Sequence, residues 1–132
     1  MRVLVVEDEW LVALEIRLIL EDLGHEVVGI APDSRRALEI AAKGIDVALV
    51  DLNLRDGLTG PTVGATLVSQ GATVLFMTAN PGQLGQGVAG AVGVIAKPVE
   101  HDELKQTAQF VEAVRLGRAP PPPPARLRQF AA

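Results

Sequence analysis

The feature that most constrains this chain is a repeated exchange of short apolar runs with longer amphipathic stretches. Residues 3–6, 26–30, 46–50, 72–77 and 91–96 are rich in Val, Ile, Leu and Ala and lack a regular polar alternation. A strand with one wet face alternates apolar and polar residues, whereas runs of this kind suit parallel strands covered on both faces. Helical segments lie between them. Residues 10–23 place Leu11, Leu14 and Leu18 on one expected core face, with Gly24 as a stop. Residues 33–43 open on Asp33 or Ser34 as a cap and end before Gly44. Residues 61–70 carry a proline in the first turn and Gly71 beyond the last. Residues 100–116 begin with Glu100, Asp102 and Glu103 and close with Arg115 before Gly117, charges that complement the helix dipole. Leu104, Ala108 and Val111 form the core face of that segment. The remaining connection, 81–90, contains Gly82, Gly85, Gly87 and Gly90, so only a short or irregular helix is expected there.

The pattern is α/β, a (βα)5 doubly wound parallel sheet. A flavodoxin-like strand order 2-1-3-4-5 is expected over residues 1–117. Residues 118–132 form a proline-rich C-terminal tail whose run 119–124 favours polyproline II; a passive, extended tail is expected. A length of 132 residues suits one domain. The net charge of −4 argues against a nucleic-acid surface, and the absence of Cys excludes disulfides and thiolate metal sites. The apolar start is interrupted at Glu7 and Asp8, too early for a signal segment or a membrane span, so a cytoplasmic protein with no membrane partner is expected.

In open sheets of this kind a ligand binds beyond the carboxyl ends of the strands. The residues at those ends are Glu7 and Asp8 after the first run, Asp51 after the third, Thr78 after the fourth and Lys97 after the fifth. Clustered carboxylates repel one another unless a hard cation lies among them, and oxygen-only donors suit Mg²⁺. A carboxylate is also a nucleophile able to form an aspartyl-phosphate. A metal and Lys97 would balance the charge of the phosphoryl group, and Thr78 would donate a hydrogen bond to it.

Glu7-Asp8, Asp51 within Val50-Asp51-Leu52-Asn53-Leu54, Thr78 within Phe76-Met77-Thr78-Ala79, and Lys97-Pro98 together resemble the signature of response-regulator receiver domains from bacterial two-component signalling. The resemblance covers nearly all of the chain before the proline run. It implies that Asp51 accepts phosphate from a histidine kinase or a histidine phosphotransfer protein. It further implies that Glu7, Asp8, Asp51 and the backbone carbonyl of Asn53 ligate Mg²⁺, and that the Lys97–Pro98 peptide is cis. Too few residues follow Gly117 for an output domain. The expected function is therefore that of a single-domain, non-enzymatic regulator that signals by protein contact or acts as a phosphate sink. The sequence departs from the family at Val94, where an aromatic residue is usual and serves as a ring switch. Phe76-x-Thr78 without that later aromatic partly resembles the atypical receivers with a Phe-Ala-Thr-Gly motif. Without a ring at position 94, phosphorylation is expected to reorganise the Gly-rich segment 81–94, which looks poorly held.

Other signals carry less. Gly85-Gln-Gly87-Val-Ala-Gly90 matches a dinucleotide-binding pattern but opens no convincing helix and lacks an acid at a later strand end. A small metal-dependent phosphatase would want a second acid where Asn53 stands. A pseudo-receiver acting as a pure scaffold would not need the full set of five site residues. Trp10 is expected to be ordinary helix packing rather than a lid over the site.

Overall fold

Parallel strands cannot be joined by a tight turn, so each crossover needs a length of chain that is most cheaply covered as a helix. The computed structural model, which describes residues 1–131, shows that solution. Its elements are β1 Arg2–Val6, α1 Trp10–Asp22, β2 Glu26–Ala31, α2 Ser34–Ala41, β3 Val47–Asp51, α3 Gly60–Ser69, β4 Thr73–Thr78, a 3-10 turn Pro81–Leu84, β5 Gly93–Ala96, α4 His101–Leu116 and β6 Leu127–Gln129. The sheet order is β2-β1-β3-β4-β5-β6. The expected 2-1-3-4-5 core is therefore present and parallel, and the Gly-rich connection supplies only the short irregular turn that its composition predicts.

Local chemistry explains the boundaries. The Asp33 side chain accepts the Arg36 N–H at 2.9 Å and caps α2. The Glu103 carboxylate accepts the Glu100 N–H at 3.1 Å at the start of α4. At the other end of α4, Gly117 adopts a left-handed φ of 68°, which a side chain would disfavour. The core divides into two layers. Ile40, Val63, Leu67 and Phe76 pack on the face covered by α2 and α3, whereas Ile16, Leu20, Leu104 and Val111 pack on the face covered by α1 and α4. Gly64 lets α3 approach closely, because a Cβ there would lie 2.2 Å from the Phe76 ring.

Three expectations are corrected. The core face of α1 is Ala13, Ile16, Ile19 and Leu20, whereas Leu11 and Leu18 are 80% and 67% exposed and Leu14 is only partly buried. Leucine spacing alone misplaces the phase of the helix; Ala13, Ile16, Ile19 and Leu20 fit against the sheet instead. Trp10, expected as packing, is 60% exposed. The tail is not passive either. Leu127–Gln129 pairs antiparallel with β5, making the sheet mixed, and Pro124 and Leu127 are buried.

The phase correction gives a first prediction. Ile16→Ala should destabilise the domain by about 2–4 kcal/mol, while Leu18→Gln should stay within about 0.5 kcal/mol of the parent. Urea unfolding of both variants measures the difference, and equal effects would restore the leucine face to the core.

Candidate functional site

The carboxyl ends of β1, β3, β4 and β5 lie side by side because the parallel register aligns them: Val6 pairs with Val50, Asp51 with Met77 and Thr78 with Ala96. Asp51 and Thr78 are the last residues of β3 and β4, Glu7 and Lys97 follow directly on β1 and β5, and Asp8 comes next after Glu7, so these polar side chains gather at a common mouth. Glu7 and Asp51 are buried, Thr78 is fully buried, Lys97 is half-buried and Asp8 is exposed. Carboxylate oxygens of Glu7, Asp8 and Asp51 all lie within 4.8 Å of one another. The structure thus brings together the five residues picked out at the strand ends.

Lys97 is the hub. Its Nζ donates to Asp51 Oδ2 at 2.8 Å and to Glu7 Oε1 in a short contact. The other Asp51 oxygen, Oδ1, accepts the Leu52 N–H at 2.7 Å. Thr78 Oγ1 accepts the Asn80 N–H at 3.1 Å, which leaves the hydroxyl proton free to donate. The Lys97 N–H donates to the Thr78 carbonyl at 2.8 Å and ties the two strand ends together. The Lys97–Pro98 peptide is cis, as the resemblance implies. Asn53 is exposed on the loop after β3, where its side-chain amide reaches Gln83 at 3.4 Å. Gln83 was not foreseen at this mouth, since nothing in its own neighbourhood marks it. An apolar cavity of about 310 Å³, lined by Val12, Ile16, Met77, Pro98 and others, opens beside Lys97 between α1 and α4.

The electrostatics follow from burial. Burial pushes the Glu7 carboxyl up to about 7 from its ordinary 4.5; Lys97 pulls it back only in part, and Asp51 adds to the rise. Burial works against the Lys97 charge, but the Asp51 and Glu7 carboxylates outweigh it and hold the ammonium above its usual range. The donor set around the mouth is all oxygen, as a hard divalent cation requires, and the spacing of three carboxylates fits one ion of the Mg²⁺ class.

With the geometry in place, comparison with known proteins is decisive. The family model for the response regulator receiver domain matches residues 3–109. The chain belongs to the response regulator receiver family. It is 37% identical over 82 residues to the phyllosphere-induced regulator PhyR of Methylorubrum extorquens, covering 60% of this chain and 31% of that protein. The receiver domain of Erythrobacter litoralis PhyR superposes with a TM-score of 0.73 at 27% identity, covering 92% of this chain and 93% of that one. A Bartonella quintana PhyR described as an anti-anti-sigma factor gives a TM-score of 0.69 at 29% identity, covering 88% of this chain and 48% of that one. The receiver therefore spans about a third of the Methylorubrum protein and about half of the Bartonella one. Within this family, position 94 is indeed a valine here; it is buried, and the ring nearest Phe76 comes from Phe130 in the tail. Among the described residues, no helix is long and apolar enough to cross a membrane.

The raised Glu7 carboxyl makes stability depend on pH. The folded domain binds the Glu7 proton more tightly than the unfolded chain, so this contribution is complete below about pH 4.5 and is lost as pH rises through about 7. In metal-free buffer the thermal midpoint should fall across that window, and Glu7→Gln should flatten the fall. A midpoint of the parent that rises over the same window would remove the assigned cause.

Proposed function

We propose that this receiver takes a phosphoryl group onto Asp51 from the phosphohistidine of a histidine kinase or a histidine phosphotransfer protein, in a Mg²⁺-dependent reaction. The observation that carries this reading is the Lys97 ammonium held 2.8 Å from Asp51 Oδ2 at a mouth shared with Glu7 and Asp8. An Asp51 oxygen would attack phosphorus as the P–N bond to the donor imidazole breaks, and the ring would leave with the bonding electrons. Lys97 would exchange its ion pair with Asp51 for one with a phosphoryl oxygen. The Thr78 hydroxyl would donate a hydrogen bond to another oxygen of that group and keep its proton. Glu7, Asp8, Asp51 and the backbone carbonyl of Asn53 would hold Mg²⁺. When bound, the ion supplies charge neutralisation for the carboxylates and the incoming phosphoryl group.

The role is regulatory rather than enzymatic. Output by protein contact is supported by the description of the Bartonella relative as an anti-anti-sigma factor, and a cytoplasmic location is consistent with a kinase partner. Trp10, Leu11 and Leu18, exposed on α1, offer an apolar surface to a phosphodonor protein.

Asp51→Asn should abolish labelling by acetyl phosphate with Mg²⁺, and Asp8→Asn should slow it by weakening metal binding. Phosphate-affinity gel electrophoresis gives the answer directly. Undiminished labelling of Asp51→Asn would move the acceptor elsewhere and sink the assignment.

A further inference from the structure

We propose that residues 126–130 form a strap that holds the segment following Thr78 and the loop carrying Lys97, so that seating the strap and loading Asp51 oppose each other. This rests on the phosphoacceptor function proposed above. The strap is a short ladder: Leu127 pairs with Ile95, Arg128 with Val94 and Gln129 with Gly93, and the Phe130 N–H donates to the Val92 carbonyl at 3.0 Å. A plain cover for an exposed sheet edge would stop there. This one continues past the strand onto both loops.

The Arg128 guanidinium donates to the carbonyls of Gly85 at 3.1 Å and Pro81 at 3.4 Å, gripping the segment that follows Thr78. Its carbon lies 5.4 Å from the centre of the Phe130 ring, which it helps to hold. Phe130 packs against Phe76, two residues before Thr78, with ring centres 6.3 Å apart and planes at 43°. Arg126 donates to the Pro98 carbonyl, immediately after Lys97, and forks onto Glu103 at 2.9 and 2.6 Å. The Gly-rich segment, expected to be poorly held, is thus tied to the tail at Pro81 and Gly85.

Two glycines make room for the strap. A Cβ on Gly93 would lie 2.3 Å from the Arg128 carbonyl oxygen, and one on Gly87 would lie 2.5 Å from the Phe130 ring. Both belong to the body of the domain, yet the space they leave is filled by the tail. At the mouth, Lys97 now spends its charge on Glu7 and Asp51, and Thr78 is bonded to Asn80. A phosphoryl group on Asp51 needs both side chains to turn toward it, and that turning shifts the loops that Arg126 and Arg128 hold. Each arginine contact is exposed and individually weak, so the strap is suited to local release while the core stays folded.

The test uses the full chain. Hydrogen exchange is measured with Mg²⁺ alone and with Mg²⁺ and beryllofluoride, a mimic of the phosphoryl group. In parallel, acetyl phosphate labelling rates are compared for the parent, Arg128→Ala, Phe130→Ala and Gly93→Ala. Protection over 127–130 should drop roughly tenfold with the mimic, a coupling in the range common for linked sites, and each variant should label faster. Arg128→Ala removes no buried apolar side chain, and exchange on the unmodified chain needs no variant to fold. If Asp51 is labelled but strap protection is unchanged, or the variants label no faster, the strap is only an edge cover and the phosphoacceptor function stands. If no chain is labelled on Asp51, both fall together.

Discussion

Three carboxylates share one end of this sheet, two of them out of water, and one ammonium makes that arrangement tolerable. Two like charges about 4 Å apart repel by roughly 4 kcal/mol at an effective dielectric of 20, so Glu7, Asp8 and Asp51 could not all be ionised without a cation among them. In the resting domain Lys97 is that cation, bridging Glu7 and Asp51. Burial raises the Glu7 carboxyl to about 7; Lys97 offsets that only in part, and Asp51 adds to the rise. A buried charge cluster adds little net stability when desolvation is weighed against attraction. What it does provide is an all-oxygen group of three carboxylates at the sheet edge, the donor chemistry that the Mg²⁺ of the proposed function would use.

Much of this was legible before any coordinates. The five apolar runs and the acids, hydroxyl and amine just beyond them are set by strand period and by the rule that ligands sit at the carboxyl edge, so Glu7, Asp8, Asp51, Thr78 and Lys97 could be placed without knowing the packing. The weak connection after β4 was equally readable, because four glycines in ten residues cannot sustain a helix. The face of α1 was not. Leu11, Leu14 and Leu18 and the set Ala13, Ile16, Ile19 and Leu20 both satisfy helical spacing, and only the shape of the sheet decides between them.

The tail was illegible for a different reason. A proline run reads as extended chain, and extended chain is what a strand needs; propensity alone does not say whether an edge is waiting for it. The edge did leave one mark. Gly93 interrupts an otherwise β-branched run, and a glycine inside a strand signals a place where another backbone comes close. Within its own segment the glycine says only that a backbone comes close; the partner lies more than thirty residues further along the chain.

The same long-range pairing changes what the valine at position 94 means. Read along the chain, it is a missing ring, and a missing ring suggests a lost connection between the site and the surface. In the folded domain Val94 is buried opposite Arg128, and the tail brings its own ring, Phe130, against Phe76 on the strand that ends in Thr78. A ring on β5 would be covalently fixed beside the site in every state. A ring on a three-residue edge strand can leave, because few ladder bonds and exposed arginine contacts hold it there. In the strap proposed above, docking of a segment on the sheet edge would stand where a ring on β5 would otherwise act.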